Sequence, residues 1–201
     1  KIFVRNMNTN HEEELIISEE KVINPSFSLM QKDKETDLIR VGYESPKTPS
    51  RIFEFNIKTK EKKLVKEQII PSGHNRDDYI VERLECKGHD GYLIPMTITR
   101  HRTTKLDGNA NVLLYGYGSY GMSMYPTFSS SRLSLINRQI IWVTCHIRGG
   151  LEKGMAHWKA GKMLNKKNTF KDFISCTEYL IEKKYTNKKK IIAYGGSAGG
   201  L

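Results

Sequence analysis

Two hydrophobic rhythms divide the chain. Before about residue 80, apolar positions come in short alternating runs. Residues 37–43 (DLIRVGY) read as one strand, and Pro46-Lys47-Thr48-Pro49 breaks the run that follows. In 51–57 (RIFEFNI), Ile52, Glu54 and Asn56 fall on one face, and Phe53, Phe55 and Ile57 on the other, the two-residue period of a half-buried strand. Polar residues at 58–62 predict a turn and 63–70 predicts a further strand. Short strands in a meander suit a sandwich or a propeller blade. A piece of this length leaves open sheet edges when it stands alone.

Beyond residue 80 the runs lengthen. Residues 79–86 and 92–100 predict two strands joined by Lys87-Gly88-His89-Asp90-Gly91, whose Asp-Gly pair favours a tight hairpin turn. Residues 111–117 (NVLLYGY) form an apolar strand that enters a glycine-rich loop. Residues 139–146 (QIIWVTCH) are continuously apolar, as expected of a strand buried on both faces. Arg148-Gly149-Gly150 signals a loop. Thr169-Phe170-Lys171-Asp172 has a capping-box-like pattern that predicts a helix start. Phe170, Phe173, Ile174, Thr177 and Ile181 follow at helical spacing and predict a core-facing stripe. Residues 190–194 (KIIAY) predict one more short buried strand. Strand, helix, strand is the βαβ grammar of a parallel sheet.

Composition narrows the classes. No apolar run in the 201 residues approaches the ~20 needed to span a bilayer, so no membrane association is expected. The first residue is Lys1 rather than Met, which leads us to expect a fragment or a processed chain. Cys86, Cys145 and Cys176 show no CxxC spacing and predict free thiols in a reducing, cytoplasmic setting. The net charge is +11, and residues 151–201 carry 11 basic against 4 acidic groups. A basic face can bind nucleic acid or anionic membrane. No zinc finger, helix-turn-helix or RNP-like aromatic motif accompanies it, so a solvated lysine-rich surface is expected and nucleic acid is not.

The strand at 190–194 ends in Gly195-Gly196-Ser197-Ala198-Gly199-Gly200, a Gly-x-Ser-x-Gly motif. A serine hydroxyl is a poor nucleophile until a base takes its proton. A sharp strand-to-helix turn presents it clear of the sheet, and Gly195 and Gly199 remove side chains that would clash there. The Ala198 amide would then point at the substrate oxyanion. No Gly-Lys-Ser/Thr is present, so a Walker loop is excluded. The earlier stretch Tyr115-Gly116-Tyr117-Gly118-Ser119-Tyr120-Gly121 follows a strand where such a fold places the other half of its oxyanion hole. A backbone amide or a tyrosine hydroxyl could be the donor there.

From about residue 79 onward the chain resembles the catalytic domain of the prolyl oligopeptidase family of serine peptidases, and is most similar to its oligopeptidase B (protease II) branch. The carriers are the 114–121 and 131–135 stretches, His146-Ile147-Arg148-Gly149-Gly150, Lys166-Lys167-Asn168-Thr169-Phe170 and Gly195-Gly196-Ser197-Ala198-Gly199-Gly200. Residues 1–78 resemble the end of that family's β-propeller, through Ser45-Pro46-Lys47-Thr48-Pro49. The resemblance implies an α/β fold: part of an α/β-hydrolase domain over 79–201, truncated just after the nucleophile elbow and preceded over 1–78 by the last propeller strands. It implies a cytosolic oligopeptidase that cleaves short peptides through an acyl-serine intermediate. Ser197 would be the nucleophile, Tyr117 would give a hydroxyl and Ala198 a backbone amide to the oxyanion. No metal or organic cofactor is implied.

The chain departs from the family pattern in two places. The family's order is Ser, then Asp, then His, yet only four residues follow Ser197, and all six histidines (11, 74, 89, 101, 146, 157) lie upstream, where surface or packing roles are expected. The triad Asp and His are therefore expected beyond residue 201, or on a second chain, and this chain alone should show little or no peptidase activity. Where oligopeptidase B carries acidic residues after the glycine-rich loop, this chain has Met122-Ser123-Met124-Tyr125-Pro126-Thr127-Phe128, which leaves the residue preferred at the cut open. An esterase or thioesterase on the same fold and a non-enzymatic basic binding module are the alternative readings.

Overall fold

The computed structural model describes residues 2–28 and 36–201. The chain divides into two compact units, Lys1–His74 with Pro126–Ser129, and Asn75–Tyr125 with Ser130–Leu201.

In the first unit, β1 (Phe3–Arg5) and β2 (Glu12–Glu14) form an antiparallel pair. β3 (Asn24–Ser28), β4 (Leu38–Glu44), β5 (Arg51–Asn56) and β6 (Lys62–Glu67) form an antiparallel sheet in sequence order. The alternation in β5 works as read: Phe53 and Phe55 turn inward onto Val41, Tyr43, Leu15 and Ile17, with the Tyr43 and Phe53 rings stacked at 5.9 Å. β6 is an edge strand and ends at Glu67, short of residue 70. Its lysines (62, 63 and 66) keep the open edge charged. The Ser45–Pro49 break is a buried turn. Ser45 and Thr48 exchange backbone hydrogen bonds of 3.0 and 3.2 Å, and their hydroxyls donate to the Glu20 carboxylate at 2.6 and 2.5 Å.

The second unit is built on a sheet of order β11-β9-β10-β8-β7. Its strands are β7 (Tyr79–Lys87), β8 (Leu93–His101), β9 (Asn111–Gly116), β10 (Ile140–Cys145) and β11 (Ile191–Tyr194). β8 pairs antiparallel with β7 and with β10, while β9 pairs in parallel with β10 and β11. The sheet is thus mixed, with the βαβ unit confined to the β9, β10, β11 end. Helices α1 (Ser130–Ile136), α2 (Met155–Lys159) and α3 (Lys167–Glu182) complete the unit. Ile94, Met96 and Ile98 of β8, Val112 and Leu114 of β9, and Ile141 and Val143 of β10 are wholly buried against Cys176 and Leu180 of α3. The three cysteines are free and all lie in this core, with the Cys86 and Cys176 sulfurs 3.6 Å apart. The molecule is a mixed α/β protein, and no helix of its described residues is long and apolar enough to cross a membrane.

Three expectations are corrected. Helix α3 begins at Lys167, and Thr169 lies inside it without capping it: its hydroxyl donates to the carbonyls of Arg148 (2.7 Å) and Gly161 (3.1 Å), while Asp172 is taken by the Arg148 guanidinium. The buried stripe of α3 is Thr169, Asp172, Cys176 and Leu180; of the expected stripe Phe173 packs against the core and Thr177 and Ile181 are half-buried, while Ile174 is exposed and Phe170 borders on it. A buried arginine that needs a carboxylate rotates the helix so that polar residues face inward. Finally, β11 lies at the sheet edge, and its Ile192 and Tyr194 are about half exposed rather than buried.

Candidate active site

The Gly-x-Ser-x-Gly segment makes a sharp turn. β11 ends at Tyr194, Gly196 stays extended (φ −134°, ψ 153°), and Ser197 then enters the left-handed region at φ +52°. A 3₁₀ turn over Ser197–Gly200 follows, closed by the Gly199 amide donating to the Gly196 carbonyl at 2.8 Å. A non-glycine residue in this region costs on the order of 1–2 kcal/mol, so the surroundings must hold it. They do so through backbone contact. A Cβ at Gly195 would lie 1.9 Å from the Gly199 carbonyl oxygen, and one at Gly199 would lie 2.8 Å from the Gly116 oxygen and 3.0 Å from the Tyr117 Cα. Gly196 has nothing within 4 Å of that position, so it is not required by packing. Ser197 is exposed.

The loop after β9 faces this turn. It carries three left-handed residues, Gly118 (φ +61°), Tyr120 (φ +55°) and Gly121 (φ +67°). Gly149, itself at φ +106°, packs so closely that a Cβ would lie 2.0 Å from the Gly118 oxygen, and its carbonyl accepts from the Gly121 amide at 2.9 Å. Lys166 Nζ donates to the Gly118 carbonyl and to Ser119 Oγ, both at 2.7 Å. Tyr117 and Ala198 line one cavity of about 440 Å³ with Lys166, Phe170, Phe173 and Tyr194.

Residues 126–201 match the family model described as the prolyl oligopeptidase family. Dipeptidyl aminopeptidase BI of Pseudoxanthomonas mexicana is 44% identical over 167 residues, 83% of this chain and 23% of the relative. Protease 2 of Moraxella lacunata is 39% identical over 173 residues, 86% of this chain and 25% of the relative. The structure of oligopeptidase B from Leishmania major superposes with a TM-score of 0.85 at 32% identity, covering 98% of this chain and 28% of that one. This chain belongs to the prolyl oligopeptidase family. It spans about a quarter of the length of the curated relatives it matches.

Behind the glycine-rich loop lies a buried polar cluster that the sequence reading did not anticipate in this member of the family. The Arg148 guanidinium donates to Asp172 at 2.8 and 2.6 Å and to Asp90 at 2.6 and 3.2 Å, and its own amide donates to Asp172 at 3.0 Å. The pairing holds the Asp90 carboxyl down to about 2 and pushes Arg148 up. Beside it, Glu152 accepts from the Met124 amide at 2.9 Å and faces His146 Nδ1 at 3.5 Å and His157 Nε2 at 4.0 Å. Burial lowers the pKa of both imidazoles. The signal that could have revealed this cluster is Arg148 itself: a charge next to the apolar 139–147 run demands a buried carboxylate.

None of the histidines supplies a base to the turn. His11 and His89 are exposed, His74 binds the Lys47 carbonyl at 2.7 Å, His101 lies against Tyr79, and the buried His146 and His157 hydrogen-bond the Thr97 hydroxyl at 2.8 Å and the Tyr92 hydroxyl at 2.9 Å. Among the described residues none hydrogen-bonds the Ser197 hydroxyl, and no group of three His, Cys, Asp or Glu gathers to hold a metal.

Proposed function

We propose that this chain is the nucleophile-bearing part of a serine oligopeptidase. Residues 79–201 would be the first portion of an α/β-hydrolase domain, and residues 1–78 the last strands of a β-propeller. Ser197 Oγ attacks the scissile carbonyl carbon of a short peptide, and its proton passes to a base outside these residues. The oxyanion takes hydrogen bonds from the Ala198 amide and the Tyr117 hydroxyl. The C–N bond then breaks, the amine leaves with the proton, and water hydrolyses the acyl-serine ester. The observation that carries this reading is the left-handed Ser197 on a strand-to-3₁₀ turn packed against Tyr117. The names of the relatives, an aminopeptidase and a protease, support peptides as the substrate. The three free cysteines support a reducing, cytoplasmic location. The Asp and His of the triad belong to sequence past residue 201 or to a second chain.

Fluorophosphonate labelling read by intact mass tests this reading. A longer polypeptide that continues past Leu201 is expected to label at Ser197 and to lose the label in Ser197→Ala. The 201-residue chain alone is expected to label slowly or not at all. Labelling of the longer polypeptide that survives Ser197→Ala would refute the assignment of the nucleophile.

A further inference from the structure

We propose that Lys166 is a positioning residue of the oxyanion-binding half of the site: its ammonium holds the 117–121 loop in its left-handed course, and so keeps Tyr117 facing the Ser197 turn. This rests on the serine peptidase reading above. The sequence singles out Lys166 only as part of a family-like stretch, and no step of the proposed reaction uses it.

The first support is geometric. Lys166 stands at the entry to α3, nearly fifty residues along the chain from the loop, yet its Nζ reaches two consecutive loop residues, the Gly118 carbonyl and the Ser119 hydroxyl, at 2.7 Å each. The second is the state of the ammonium. Among the described residues it has no carboxylate partner, and it stands over the Phe170 ring at 5.8 Å. Of the side chains lining the cavity shared by Tyr117 and Ala198, Lys166 is the charged one. Burial depresses its pKa, the mark of an ammonium that has given up water. A lysine loses hydration without a counter-ion only where its hydrogen bonds are well placed, and both of these go to the loop. The third is what the loop needs. Gly118 and Gly121 adopt left-handed backbone without strain, but between them Tyr120 at φ +55° persists there only when neighbours over-determine it. Inside the loop there is one backbone bond, Met122 amide to Ser119 carbonyl at 3.0 Å; Ile147, Thr169 and Leu151 pack against it, and its remaining polar contacts come from Gly149 and Lys166.

The test compares wild type, Lys166→Met, Lys166→Arg, Ser119→Ala and Ser197→Ala in the longer polypeptide, reading peptide turnover together with amide hydrogen exchange over 118–121. Lys166→Met keeps the stem and removes the donors. Its amides at 119–121 should exchange roughly tenfold faster or more. Its kcat should fall about 10- to 100-fold with KM within about threefold, as a misplaced oxyanion donor predicts. Lys166→Arg should recover much of both readouts. Ser119→Ala, which removes one acceptor from an accessible loop, should show a smaller change in the same direction, and it decides the matter if Lys166→Met does not fold. Unchanged exchange in Lys166→Met or in Ser119→Ala overturns the proposal, as does kcat within about twofold of wild type in Lys166→Met while Ser197→Ala is inactive. Turnover that survives Ser197→Ala would instead sink the peptidase reading; unchanged exchange would still overturn the loop-holding role, and accelerated exchange would still support it.

Discussion

The two glycine-rich turns that end β9 and β11 are held in different ways. The β9 loop is clasped by residues far along the chain: Gly149 against the Gly118 carbonyl, and Lys166 onto Gly118 and Ser119. The β11 turn is clasped locally, by Gly195 against Gly199, and it leans on Gly116 and Tyr117 of the first loop. The β11 turn also sits on an edge strand with half-exposed side chains, whereas β9 lies between two partners. The dependence therefore runs one way. Arg148 fixes the segment that carries Gly149, Gly149 fixes the β9 loop, and the β9 loop backs the turn that carries Ser197. Damage to the first member should reach both turns, while damage to the last should stay local.

The largest effect is expected at the base of that chain. Arg148→Met leaves Asp172 buried with no counter-charge, since Asp172 is fully buried and Arg148 nearly so. Removing one partner of a buried pair typically costs about 3–5 kcal/mol. Urea denaturation should show a loss of that size, and hydrogen exchange should show both the 117–121 and the 195–200 amides loosened. A loss below about 1 kcal/mol, or loosening of the 195–200 turn alone, would contradict the one-way dependence.

Much of this was legible before the structure. The strands of the second unit follow from apolar run length and from the Asp-Gly turn, and the Ser197 turn follows from the strand that feeds it. The buried polar layer was not legible. Thr169 and Asp172 read as a helix start because a polar pair before an apolar run is the usual sign of one. They instead serve Arg148, a partner more than twenty residues upstream, and no periodicity reports that pairing. Glu152 and Lys166 were hidden for the same reason: each looks like a surface charge in a charged stretch, and only the fold shows what it faces.

A smaller and local effect separates the two glycines that open the motif. In Gly195→Ala the new methyl group meets the Gly199 carbonyl oxygen at 1.9 Å, and backbone on both sides leaves no flexible atom to yield. About 2–3 kcal/mol of strain is expected, concentrated in the 195–200 turn. Fluorophosphonate labelling of the longer polypeptide should fall steeply while the 117–121 amides stay protected. Gly196→Ala meets no atom within 4 Å and should change stability by less than about 0.5 kcal/mol. Equal damage from the two substitutions would show that conformational freedom at both positions, rather than the close approach at one, is what the turn requires.

The smallest effect distinguishes the two carboxylates on Arg148. Asp172 is fully buried, whereas the Asp90 side chain is 39% exposed, so the two salt bridges are not equivalent. Asp90 is held down to about 2 by the Arg148 guanidinium, below the ~3.9 of an unfolded aspartate. A folded pKa below the unfolded one means the stabilisation is fully present above about pH 4 and is lost as pH falls toward about 2. Its exposure to solvent limits the contribution to about 1 kcal/mol or less. Asp90→Asn should therefore cost up to about that much at pH 7, and less at pH 2 to 3, where the wild-type carboxyl is itself becoming neutral. Urea midpoints measured across pH 2 to 7 should converge for the two proteins at the acid end. If the variant is as stable as wild type at pH 7, Asp172 alone anchors Arg148, and the clasp on the β9 loop is wholly a buried one.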